Sequence, residues 1–387
     1  MAKATHVPIT PEVLDWAIRE SGYTEAEVAE KAGAERHNLR SWLRGQSKPT
    51  LTETRDLARA LKRTPSTFLL PRPPAAPQVP PQFRHAPGSY RTMMSPEERR
   101  FLRGARRVQD AAKWLVHELR EERPALKRFS VQNDDVERVG DYARRKFIRL
   151  LPIPLKDIKT DAQAFQAWRT ALQSAGILVL VFPLGEDSAR GFSLWDRDAP
   201  LIAVNSAWNS AARIYTLFHE LGHLLTRTSS VCMDKSVKLS RPTDVAERWC
   251  EEFASAELLP WRAVESFLRE RFKWSPGDKV DSLRVPGAMA KAFKVSVSAA
   301  TIRLILRRVS DWSLYSAIRP YVTDRKRSVG GGDGRDRGEI RRDQYGDKVV
   351  DLFIRGLKRD VVSRGDLLDY LDVPDAAIDR YQGITAD

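Results

Sequence analysis

The sequence predicts a mainly α-helical, multidomain protein in which one small α+β region, built on a three-stranded sheet, interrupts the helices. Three observations lead to this class. Apolar residues recur at three- and four-residue intervals over most of the chain, the helical period. Between residues 177 and 204 that period gives way to short apolar runs separated by Gly, Pro and Asp, which read as strands. Two stretches of biased composition, one rich in proline and one in Gly, Arg and Asp, divide the chain of 387 residues, which is long enough for two or three cores.

From Pro11 to Leu70 the residues Val13, Leu14, Ile18, Val28, Ala29, Leu39, Trp42, Leu43, Leu57 and Leu61 form a helical stripe. Thr24 with Glu27, and Thr50 with Glu53, are capping-box pairs that satisfy free amides at a helix start. Seven prolines between Pro71 and Pro87 predict a stiff, extended linker. Ser95-Pro96-Glu97-Glu98 opens a long basic helix to about Glu122, and further helices are expected over Asp134–Leu151 and Ala162–Ala175. The strands are expected at Ile177–Phe182, Phe192–Trp195 and Leu201–Val204, and helices return from Ser210. Asp324–Arg342 reads as a charged flexible linker before a last helical module over Gly346–Tyr381. The expected layout is a helical bundle over 1–70, a Pro-rich linker over 71–90, a central domain with a helical lead-in over 91–320, a charged linker over 321–345 and a small helical module over 346–387.

A content of 42% hydrophobic and 30% charged residues is that of globular protein and excludes a fibrous or wholly disordered chain. The net charge of +14 favours phosphate backbones or acidic surfaces, although solvated Lys/Arg faces produce the same total. The two cysteines, Cys232 and Cys250, cannot form the disulfide framework of a small secreted domain. Residues 1–10 lack the apolar stretch of a signal peptide, and the longest strongly apolar run, Ile177–Phe182, is too short to cross a bilayer. The expectation is a cytoplasmic protein with no membrane contact.

Between Glu25 and Ala60 a short helix, a turn at Gly33 and a second helix over about Glu35–Arg44 have helix-turn-helix spacing. Ala29 is small where the helices must cross, and Leu39 and Trp42 anchor the second one. Its remaining face carries Arg36, His37, Asn38, Arg40, Ser41 and Arg44, donors suited to base edges and phosphates of double-stranded DNA. The segment resembles the Xre/lambda-repressor family, including the Trp42, Gly45 and Pro49-Thr50 tail, and departs from it at Leu43, where the family often has Glu. The competing reading is a small bundle used for protein contact.

His219-Glu220-Leu221-Gly222-His223 is an HExxH match on an otherwise apolar helix. Residues four apart differ by about 40° of rotation, so both imidazoles leave one face and can grip one ion. Glu220 lies about 100° further round, out of easy coordination range yet within reach of an activated water. The chain has only six histidines, and burying two of them with a carboxylate is costly without a cation. A second helix from about Asp244 carries Glu247, Glu251, Glu252 and Glu257 and offers a third ligand. Cys232 and Cys250 read as packing residues. Tyr215, one turn before His219, reads as core, which leaves an oxyanion-stabilising group unassigned.

The run from Ala167 to Pro260, with WRTALQSAGILVLVF, a strand ending in Asn205, an Arg-led helix into HELGH and then ERWCEEFASAELLP, resembles the ImmA/IrrE family of metallopeptidases. The resemblance implies a zincin-like domain, a Zn2+ ion held by His219, His223 and Glu247, and Glu220 as the residue that takes a proton from water and returns it to the leaving amine. Cys250, Phe253 and Ala254 keep the family's register. Glu251 stands where Asn is usual, and the Met expected before Pro260 is absent. Glu251 shares a helical face with Glu247, so it either orients a histidine from behind or replaces Glu247 as ligand.

The expected function is a DNA-tethered zinc endopeptidase that cuts a regulatory protein, such as a helix-turn-helix repressor, and so controls transcription. The alternative is a non-catalytic DNA-binding regulator or antitoxin-like protein with a zinc-binding sensor domain. Assembly as a homodimer is left open. VSVSAATIRLIL (295–306) and SRGDLLDYLDVPDAAIDRY (363–381) have a faint helix-turn-helix cadence and are read as packing helices.

Overall fold

The computed structural model describes residues 5–74, 94–185, 188–227, 230–232, 245–318 and 334–384. They form two compact units, one of residues up to 74 together with 94–104, the other of residues from 105 onward. Most of the Pro-rich linker expectation, and the charged-linker expectation up to residue 333, lie outside the described residues.

The first unit contains α1 (Pro11–Ser21), α2 (Glu25–Lys31), α3 (Arg36–Leu43) and α4 (Leu51–Leu61). Both expected capping boxes are formed: Thr24 receives the Glu27 amide, Thr50 receives the Glu53 amide, and each Glu returns to its partner's backbone N–H. Val13, Leu14, Val28, Leu39, Leu57, Leu61 and Phe68 are buried together. Helix α5 (Pro96–Glu118) starts in this unit, where Arg99 and Arg103 donate to the carbonyls of Arg19 and Glu20 at the end of α1. That satisfies acceptors the helix leaves open.

In the second unit the later part of α5 is joined by α6 (Val136–Ile148) and α7 (Asp161–Ser174). Strands β1 (Leu178–Phe182), β2 (Gly191–Leu194) and β3 (Leu201–Asn205) match the expected runs, with β2 beginning one residue earlier than read. After α8 (Ser210–Leu225) a short fourth strand, β4 (Ser230–Cys232), extends the expected three-stranded sheet to four in the order β1-β3-β2-β4. β1 and β3 are parallel, with Leu178 opposite Leu201, while β2 is antiparallel to both β3 and β4. Every residue of β2 and β3 is buried. This explains why the strands appear as continuous apolar runs without alternation.

Next come α9 (Val245–Leu258), α10 (Trp261–Phe272), α11 (Arg284–Phe293), α12 (Val297–Leu306) and α13 (Trp312–Ile318). One core runs from Phe147 and Trp168 through Leu217, Phe218 and Leu221 to Phe253, Leu268 and Leu304. Helix α12 is a packing helix, since Ala299, Ala300, Thr301, Arg303 and Leu304 are all buried.

The charged stretch before the C-terminal module requires a correction. Arg337–Tyr345 is helix α14, followed by α15 (Asp347–Lys358), α16 (Arg364–Leu371) and α17 (Asp375–Ile384), all in the second unit. Its arginines are paired: Arg337 and Arg341 with Asp372, and Arg342 with Asp347. Arg169 of α7, almost wholly buried, donates to the carbonyls of Asp343 (2.7 Å) and Gln344 (3.4 Å) at the end of α14 and to Val179 in β1 (2.9 Å). Gly346 lies at φ 81°, and a Cβ there would meet Gln173 Nε2 at 2.1 Å. A composition that suggests a solvated linker is therefore consumed by ion pairs and by one buried guanidinium. Among the described residues, no helix is long and apolar enough to cross a membrane.

Candidate metal centre

Helix α8 begins at Asn209, whose side chain accepts the Ala212 amide at 2.9 Å, and it is buried almost all round. His219 and His223, one turn apart, bring their Nε2 atoms to 3.3 Å. Glu247, in the first turn of α9, reaches both: Oε2 lies 3.4 Å from His219 Nε2 and Oε1 lies 3.3 Å from His223 Nε2. All three residues are buried, and their donor atoms lie within 4.8 Å of one another. Two imidazoles and one carboxylate match the N/O donor set of a three-residue metal site that keeps a position open for chemistry.

The approach of α9 to α8 depends on Gly222. A Cβ at that position would meet the Sγ, Cβ and Cα of Cys250 at 3.0, 3.1 and 3.2 Å. The helices thus touch nearly backbone to backbone one residue before His223, which draws Glu247 within reach of both imidazoles. The Cys250 thiol is pushed well above its usual range by burial and then by the charges of Glu247, Glu220 and Glu251. A thiol so held is a packing group.

Electrostatics within the cluster follow from the same geometry. Burial opposes charge on both partners, but mutual hydrogen bonding and Coulomb attraction outweigh it. The His219 imidazole is raised, with Glu247 as its chief partner, and the Glu247 carboxyl is held far below the usual carboxylate range by His219 and His223.

Glu220 is fully buried on the same helix. Strand β2 passes close by, because Gly191 lacks a side chain: a Cβ there would lie 3.6 Å from Glu220 Cγ and only 2.6 Å from Thr216 Cγ2. Glu251 is half-buried one turn beyond Glu247 and is not in the three-residue group, although its charge is felt at His219 and Tyr215. The Tyr215 hydroxyl donates to the Glu251 carbonyl at 3.1 Å, a tie between α8 and α9.

Three positioning features were not read from the sequence. One is the Gly222–Cys250 contact, and another is the approach of Gly191. The third is Asn205, whose side chain donates to Gly185 and Ala189 and accepts from Leu184 and Ala207, pinning the loop before β2. A buried Asn at the end of an apolar strand was the available signal.

In the first unit, α3 directs Leu39 and Trp42 inward. Arg36, His37, Arg40 and Arg44 are exposed, whereas Asn38 and Ser41 are half-buried. Arg40 Nε lies 3.5 Å from Glu25, His37 lies 3.2 Å from Glu35, and Ser41 accepts from Ser47 at 2.8 Å. Ala29 is buried where the helices meet, and Gly33 takes φ 62°, as a tight turn requires.

Residues 172–304 match the family model Peptidase_M78, described as the IrrE N-terminal-like domain. The matched span runs from the end of α7 into α12 and contains the whole cluster, which supports an ImmA/IrrE-type peptidase domain there. None of the curated proteins searched matches the chain.

Proposed function

We propose that this chain is a zinc-dependent endopeptidase carrying its own DNA-binding domain, and that it cleaves a regulatory protein such as a helix-turn-helix repressor. The observation that carries the reading is the buried meeting of His219, His223 and Glu247 inside the span similar to a peptidase family. These three side chains would hold the ion, and zinc bound there would supply the Lewis acidity that activates water and polarises a peptide carbonyl. Glu220, next in sequence to His219, takes the proton from water and returns it to the leaving amine. Its burial beside Gly191 shields that exchange from bulk solvent.

The DNA-binding part rests on the exposed Arg36, His37 and Arg40 of α3 and Arg44 at its end, set on a bundle with a mainly apolar core. Placing enzyme and repressor on one DNA raises their effective concentration, so weak peptide recognition suffices for selective cutting.

The test compares cellular proteins in the presence of wild type or Glu220→Gln, with zinc content measured on both purified proteins. A fragment made only by wild type, with equal zinc in the two, is the expected result. A loss of roughly 10²–10⁴ in rate is typical for a missing general base. Identical fragments from both would remove the peptidase, leaving a zinc-binding regulator. Zinc retained by a His219→Ala/His223→Ala double variant would move the metal elsewhere.

A further inference from the structure

Ten residues beyond Glu247, about 15 Å along the same helix, lies Glu257. It is completely buried, and neither carboxyl oxygen has a hydrogen-bond partner among the described residues. Helix α6 closes over it: a Cβ on Gly140 would meet the Cβ of Ala256 at 2.7 Å and the amide of Glu257 at 3.0 Å. Arg144, one turn further along α6, aims its guanidinium at the main chain, donating to the carbonyl of Glu257 at 2.7 Å and to that of Leu258 at 3.5 Å.

Two charged side chains that α6 and α12 bring toward this end of α9 are paired with each other. Glu137 of α6 pairs with Arg303 of α12 through two bonds of 2.6 and 2.8 Å and also meets Arg307 at 3.5 Å, while Arg303 Nε donates to Leu259. On α8, His219 and His223 meet Glu247 at the opposite end of α9. Glu251 lies in the middle of α9. Arg144 is the one charge felt at the Glu257 carboxyl, which burial raises to about 8. An apolar side chain would suit the site better, because a buried carboxyl without a partner is tolerated only when neutral.

We propose that Glu257 is a pH-responsive latch: the closed α6–α9 contact keeps its carboxyl neutral, and because the carboxyl ionises more readily once that contact opens, rising pH loosens the C-terminal half of the helix that presents Glu247. In the packed state the proton is held more tightly than in the unfolded chain. The stabilisation is therefore complete below the ordinary carboxylate range, near pH 4.3, and is lost as pH rises toward about 8. For one proton the opening equilibrium shifts by up to tenfold per pH unit over that interval. The latch does not depend on the peptidase reading, since it concerns the packing of α9 alone.

Hydrogen exchange of α9 amides in the full-length protein tests it, with wild type, Glu257→Gln and Glu257→Leu compared at each pH from 6 to 9. Expected is an α9 opening constant that rises with pH in wild type by up to tenfold per unit more than in either variant up to about pH 8 and then levels off, with no such difference in α1–α4. Equal pH dependence in wild type and a folded variant overturns the latch. NMR titration of glutamate carboxyl carbons in wild type alone gives an answer that needs no variant. One carboxyl titrating near 8 supports the proposal, and all glutamates titrating below 6 refute it.

Discussion

Gly222→Ala tests the crossing that assembles the metal cluster. The added methyl would sit 3.0 Å from Cys250 Sγ, 3.1 Å from its Cβ and 3.2 Å from its Cα. Two of these three atoms cannot swing away, because they are fixed to the backbone of α9. The helices must separate by several tenths of an ångström. Overpacking of this kind costs about 1–3 kcal/mol, offset by up to about 1 kcal/mol from the better helix propensity of alanine. Net destabilisation of roughly 0.5–2 kcal/mol is expected. The more specific effect falls on metal affinity, because the separation draws Glu247 away from both histidines. A loss of about tenfold corresponds to 1.4 kcal/mol, and zinc competition against a chromophoric chelator reads it directly. Adding Cys250→Ala relieves only the Sγ contact, so affinity returns in part. Gly104→Ala on α5, where nothing lies within 4 Å, is the control and gains stability without touching zinc. If Gly222→Ala behaves like that control in both measurements, the crossing does not set the site.

Three further outcomes are expected. Arg303→Met leaves Glu137 with Arg307 at 3.5 Å and deprives the Leu259 carbonyl of its donor, destabilising by at most about 3 kcal/mol because Glu137 is 35% exposed, while the Arg303→Met/Glu137→Leu double variant recovers most of the loss in urea unfolding. Gly346→Ala forces a side chain into positive φ and against Gln173, so limited proteolysis cuts within or beside α14 faster than in wild type. Replacing Arg36 and Arg40 with Ala weakens binding to any duplex and lowers the slope of log affinity against log salt by about one for each phosphate contact removed, as read by fluorescence anisotropy.

Local signals carried much of the architecture. A capping box acts over three residues, so Thr24–Glu27 and Thr50–Glu53 form whatever surrounds them. The same holds for HExxH, since helix geometry alone puts His219 and His223 on one face. Strands β1 and β3 were legible because all their residues but Asn205 are apolar and all but Phe182 are buried. The three residues of β4 carry no periodicity that could announce them, and they pair only because β2 presents an edge. The arginines of α14 point to solvent by composition. They were misread because their partners, Asp372 and Asp347, come later in the chain.

The chain by itself determined which residue types could bind a metal, where the helices and most strands begin, and that α3 of the N-terminal bundle exposes basic donors. Helix spacing did not select among the four glutamates of α9, and only the resemblance pointed to Glu247. That choice was made when Gly222 and Cys250 let two helices touch, bringing Glu247 to 3.4 and 3.3 Å from the histidines and leaving Glu251 half-buried outside the group. Packing also buried Glu257, another of those four, with no hydrogen-bond partner for its carboxyl among the described residues. Helix periodicity is a property of neighbouring residues, whereas the contact between two helices depends on side chains far apart in sequence, and only the packed tertiary structure brings those together.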